Sequence, residues 1–131
     1  MYAFLAVFIF GGLGATARYG IYTALRRPAF EHFPYATVTV NVVGSLLIGL
    51  LGAVLASRMP DRVILREAVL IGFLGGFTTF SAFSAEALRL VHGGESGKAM
   101  LHVALNVALC LGAVWAGHAL GTLFAPLRSS S

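Results

Sequence analysis

Cysteine occurs once in the 131 residues, at position 110, so the chain can form no disulfide within itself and has no cysteine set for a metal ion. Charge is scarce as well. Asp, Glu, Lys and Arg make up 11% of the chain, against about 25% in soluble domains, which excludes an ordinary water-soluble fold. The nine basic residues are scattered among the ends of apolar runs. A phosphate-binding surface needs them gathered on one face, so nucleic acid is excluded as a partner and the cations read as headgroup anchors in membrane lipid. Stretches of about ten residues with alternating polarity, which barrel strands require, are also missing. Nor is there a residue set for a nucleotide site or for a nucleophile with its base, so no enzyme is expected.

What fills the chain instead is apolar: 58% hydrophobic residues and a mean hydropathy of +0.87. Four intervals carry no charge, Met1 to Ala17, His32 to Ser57, Ala68 to Ala85 and Ala99 to Leu127. Each is near or above the ~20 residues that carry a helix across a bilayer. An all-α membrane protein of one domain, 1–131, follows, with spans near 2–25, 33–57, 64–90 and 98–123 and both termini on one side. The first run has a small-x-small site at Ala15 and Ala17 but no basic residue before it, and three spans follow; it reads as a retained helix rather than a signal peptide.

Orientation is not decided by charge. One face collects Arg18, Arg26, Arg27, Arg89 and Lys98, the other Arg58, Arg62, Arg66 and Arg128. A near tie of this kind suggests insertion both ways round and an antiparallel dimer; the plainer alternative is a weak bias. Pairs such as Gly11 with Ala15, Ser45 with Gly49, Gly52 with Ala56, Gly72 with Gly76 and Gly117 with Gly121 offer surfaces for close helix packing, here read as serving assembly.

Polar residues interrupt the runs. Thr37, Asn41 and Ser45 are four apart and share a helix face, as do His102, Asn106 and Cys110. A buried amide needs protein or water beside it, so both stripes turn inward, either as glue between helices or as an ion path. In "GGFTTFSAF", Gly75 to Phe83, two glycines of low helix propensity precede two threonines, which predicts an interruption of the third span. Phe80 and Phe83 then point the same way, with Ser81 and Ser84 beside them. They are either lipid-facing or core rings, or ring edges against which an anion rests. Arg18 snorkels to the interface or draws anions into a vestibule, and Glu86 ends the third uncharged run.

"GGLGATARYG" (Gly11 to Gly20), "TVNVVGSLLIG" (Thr39 to Gly49) and "GFLGGFTTFSAFSAE" (Gly72 to Glu86) together resemble the signature segments of the Fluc fluoride channels, also called CrcB proteins. The resemblance covers three spans in order and the fourth by length and polarity. It implies passive fluoride export through the cell inner membrane by an antiparallel homodimer with two pathways. By that resemblance the fluoride pathway involves Asn41, Phe80, Phe83, Ser81 and Thr79, with Asn41 bonding the ion or positioning the rings, and Arg18 lies in the vestibule. A structural sodium ion at the dimer centre would be held by the backbone carbonyls of Gly75 and Thr78. His102, Asn106 and Glu86 form a further polar track in which the chain departs from the family pattern, because His102, Asn106 and Cys110 stand where the family often carries tyrosine and serines.

Two rival readings remain. A small proton-coupled multidrug exporter shares the four-helix, dual-topology plan but needs a glutamate in the first helix, and the first carboxylate here is Glu31. A non-conducting assembly subunit would use the polar stripes only to join helices.

Overall fold

A backbone in hydrocarbon must satisfy its own amides and carbonyls, so each long apolar run closes into helix. The computed structural model describes residues 1–26 and 32–124. Helix α1 is Tyr2–Ala24 and α2 is Tyr35–Arg58. The third span, Val63–His92, is composite: α3 (Val63–Glu67), a π-helical segment (Ala68–Phe73), α4 (Leu74–Phe77) and α5 (Phe80–His92). Helix α6, Ser96–Leu123, is the fourth. All four spans are long and apolar enough to cross a bilayer, and no strand occurs among the described residues. The protein is a multi-pass membrane protein.

Two helix pairs form the bundle: α1 packs on the π-helical segment and α4, α2 packs on α6, and α5 lies along α6. Glycine makes these contacts backbone to backbone. A Cβ at Gly14 would fall on the Phe73 carbonyl, and one at Gly76 on the Gly11 carbonyl. On the other pair, Gly49 faces the Val114 carbonyl and Gly117 the Leu46 carbonyl. Most of the small residues read as assembly surfaces are therefore used inside the chain, where van der Waals fit is the main force joining helices. Gly52 is an exception, with open space around it.

Gly75 and Gly76 were expected to loosen the third span, yet both are helical. The departure falls on the two threonines that follow Phe77. Thr78 (φ −78°, ψ 162°) and Thr79 (φ −152°, ψ 116°) are extended, while the span as a whole bends by only 17°. It stays one rod rather than two half-helices set at an angle. Glu86 lies within the span, as α5 continues to His92. The π-helical segment is a feature that composition gave no reason to expect; such wide turns recur near functional sites.

Basic residues lie at both ends. Arg26, Arg89 and Lys98 line a hollow of about 560 Å³ at one end, and Arg58 Nε donates to the Phe124 carbonyl at 2.7 Å at the other. Arg27, Glu31, Arg128 and the last residues of the fourth uncharged run, 125–127, lie outside the described residues.

Candidate ion-conduction site

The two-residue step in the third span frees backbone groups that a continuous helix would pair. Thr78 N–H still reaches Leu74 O, at 3.0 Å. Thr79 N–H instead donates to Asn41 Oδ1 at 2.9 Å, so the Gly75 carbonyl loses the donor that helical periodicity would give it. Asn41 Nδ2 returns two bonds, to Thr79 O at 3.1 Å and to Asn106 Oδ1 at 3.0 Å. The Thr79 hydroxyl caps α5 by accepting from Ala82 N–H at 3.1 Å, and shares a 3.3 Å hydroxyl contact with Ser81. Asn41 thus clamps α2 to the step from both sides.

Beyond the step, the first turn of α5 carries the phenylalanines. The Phe80 and Phe83 centroids are 5.3 Å apart with rings tilted 46°, so they form one aromatic surface. Phe80 is 78% exposed, and Phe83 is half-buried against the His102 ring at 5.2 Å. Together with Asn41, Ser45, Gly75 and Cys110 they line an open-sided cleft of about 450 Å³.

The fourth-span stripe turns inward. His102 is fully buried and Asn106 nearly so. Asn106 Nδ2 lies 3.3 Å from His102 Nδ1 and donates to His102 O at 3.0 Å. His102 Nε2 points at Glu86 Oε2 across 3.6 Å, beyond hydrogen-bonding distance, and neither atom has another partner. Glu86 also borders the hollow that Arg26, Arg89 and Lys98 line.

Arg18 lies nearly two turns inside the end of α1, and its Nη1 donates to the Thr78 carbonyl at 3.3 Å. It borders a second hollow with Tyr22, Thr79 and Ser81. The structure therefore brings Arg18, Asn41, Thr78, Thr79, Ser81, Phe80, Phe83, Asn106, His102 and Glu86 into one connected region, while Gly75 sits at its open edge. Ser84 stands apart; its hydroxyl donates to Phe80 O at 2.9 Å.

Two participants were not picked out from the sequence. Tyr22 Oη pairs with the buried Thr37 hydroxyl, which lies beside the Glu86 carboxyl; its position four residues after Arg18 was the available signal. Phe33 packs its ring edge-on to His102 at 5.8 Å, and nothing in the pattern near residue 33 announces it.

A multi-pass helical membrane protein with a polar track leading from a basic hollow to an aromatic pair has the makings of an ion-conducting protein. Residues 5–118 match the model of a family described as CrcB-like protein, Camphor Resistance (CrcB). The chain is 42% identical over 118 residues to the fluoride-specific ion channel FluC of Coxiella burnetii (strain Dugway 5J108-111), a match covering 89% of this chain and 95% of that one. The FluC of Geobacter sulfurreducens is 45% identical over 118 residues (89% and 94% covered), and that of Idiomarina loihiensis 43% over 113 residues (86% and 87%). The chain belongs to the CrcB family.

Proposed function

We propose that this protein is a fluoride-selective ion channel that exports fluoride passively across the inner membrane and so lowers its cytoplasmic concentration. The observation that carries this reading is the close likeness, over nearly the whole chain, to relatives named fluoride-specific ion channels. Those relatives are channels rather than enzymes. The site chemistry agrees: fluoride holds its water strongly, and a selective path must replace that water with donors and positive ring edges in a narrow passage. The hydroxyls of Thr79 and Ser81 and the edges of Phe80 and Phe83 supply such partners.

For Asn41 the hydrogen bonds favour one of its two expected roles. An amide nitrogen has two protons, and those of Asn41 go to Thr79 O and Asn106 Oδ1. No proton is spare for the ion. Asn41 therefore positions the step that carries Thr79 and the rings, rather than holding fluoride itself.

The cleft beside Phe80 and Gly75 is open on one side, which supports a second copy closing it and, with the near tie of basic residues, an antiparallel homodimer. Cysteine labelling at residue 2 and at residue 59 on a Cys110→Ser background is expected to reach each position from both sides of a membrane; one-sided labelling would contradict dual topology. The freed Gly75 carbonyl and the Thr78 carbonyl suit a structural sodium ion at the dimer centre, since both are hard oxygen donors. Thr78 O already accepts from Arg18, and its second lone pair is the one left for a cation. When bound, sodium would neutralise the carbonyl ends that the two-residue step exposes.

The proton-coupled exporter reading lacks support: α1 carries no carboxylate. The deciding experiment is anion efflux from liposomes containing the purified protein. Rapid fluoride release with negligible chloride release is expected, and equal slow leakage of both would remove the channel reading. In the same assay Phe83→Ile is expected to lower fluoride flux about tenfold, because it deletes a ring-edge interaction of about 1 kcal/mol and loosens its neighbour Phe80. Undiminished flux would mean that the rings do not meet the ion.

A further inference from the structure

The direction of every hydrogen bond from the Thr79 step to His102 is set by the backbone. Thr79 N–H can only donate and Thr79 O can only accept, so Asn41 must turn its Oδ1 to the first and its Nδ2 to the second. Asn41 Nδ2 then requires the Asn106 oxygen, at 3.0 Å. That choice aims Asn106 Nδ2 at His102, where it meets the backbone carbonyl and, 3.3 Å away, Nδ1. His102 Nδ1 must therefore be a bare acceptor, and the ring proton sits on Nε2, facing Glu86 Oε2.

We infer that His102 is a positioning residue whose neutral, Nε2–H ring fixes the amide chain Asn106–Asn41–Thr79, and that adding a proton to it reverses this chain and reduces conduction. A charged imidazole carries N–H on both nitrogens. Its Nδ1–H would face the Asn106 amino group, donor against donor. Turning Asn106 over relieves that clash but sets its oxygen against the His102 carbonyl and its amino group against that of Asn41. Neither arrangement satisfies the chain, so Asn41 loses its hold on the step that carries Phe80 and Phe83. The inference rests on the fluoride-channel reading and deepens it.

A counter-ion for the charged ring is in place. Glu86 borders the basic hollow and lies against Nε2. The charged and titratable groups around the pair are Glu86 and Arg89 from α5, Arg18 and Tyr22 from α1 with Arg26 just past its end, His32 and Tyr35 ahead of and at the start of α2, and Glu95 and Lys98 at the start of α6; α2 also contributes the neutral Thr37 and Asn41. Phe33 and Phe83 close the remaining sides of the ring.

The test compares fluoride efflux at pH 7.5 and pH 5.5, after subtracting leakage of neutral HF through protein-free vesicles, as a ratio within each protein. The native ratio is expected to be roughly three- to tenfold in favour of pH 7.5, because only acid adds the second ring proton. His102→Gln offers Asn106 an acceptor and Glu86 a donor at any pH, and its ratio is expected near one. A native flux that is level or rises in acid overturns the inference, as does a His102→Gln ratio equal to the native one, which would point to Glu86 alone. Nitrogen-15 NMR of histidine-labelled native protein provides a second readout that needs no folded variant. His102 is expected as the Nε2–H tautomer at pH 7.5, and an Nδ1–H ring would overturn the inference. Absence of fluoride flux at both pH values would instead remove the channel reading and leave the tautomer measurement standing.

Discussion

Asn41→Ala is expected to reduce fluoride efflux by about a hundredfold, the effect of losing roughly 3 kcal/mol from the organisation of the pathway. Three hydrogen bonds end on this one amide, and two of their partners are the N–H and C=O of Thr79. Truncation leaves both backbone groups and Asn106 Oδ1 without partners in a site that water does not freely reach. The aromatic pair then loses its fixed distance from the Thr79 and Ser81 hydroxyls. Asn41→Asp sharpens the result. It keeps an oxygen for Thr79 N–H but turns a second oxygen toward Thr79 O and Asn106 Oδ1, so flux is expected to fall at least as far as in the alanine variant. Efflux followed with a fluoride electrode, beside size-exclusion profiles showing that each variant is still assembled, separates lost conduction from lost protein. Near-native flux in either variant would mean that the clamp does not govern the path.

The second large effect concerns stability. Gly14→Ala is expected to destabilise the protein by about 1–3 kcal/mol or to prevent its recovery from membranes, because the added methyl overlaps the backbone of Phe73 and Phe77. Backbone cannot step aside as a side chain can. Gly12→Ala, two residues earlier in the same helix, meets nothing within 4 Å and gains helix propensity of up to about 1 kcal/mol. The pair is chemically identical, so a difference in thermal stability between the two variants in detergent isolates the packing term. Equal stability would show that α1 and the third span are free to separate.

How far such features can be read without coordinates depends on their range along the chain. The four spans were legible because a run of apolar residues long enough to cross a bilayer has few other uses. The inward stripe of His102 and Asn106 was legible for a related reason: four-residue spacing defines a helix face, and polar groups in hydrocarbon must find partners. The glycines were noticed but misassigned. Spacing alone says that a helix has a flat side, whereas whether Gly76 meets Gly11 of its own chain or a second subunit depends on the three-dimensional pairing. The paired glycines and threonines made a departure from helix legible but not its seat at Thr78 and Thr79, since the decisive competitor is the Asn41 side chain, 38 residues away. Long-range contacts of this kind, with Tyr22 on Thr37 and Glu86 against His102, leave no periodic trace in any single segment. The π-helical turn over Ala68–Phe73 leaves none either.

Peptide groups point their oxygens toward a helix's end and their hydrogens toward its beginning. Where α4 stops and α5 starts, those two poles meet within the span of a couple of amino acids. The protein thereby offers partial negative and partial positive charge almost side by side at mid-depth, using uncharged main chain alone. Formal charge, so expensive to drag into oil, is left to Arg18 and Glu86 at the flanks of this junction, where aqueous hollows come within reach.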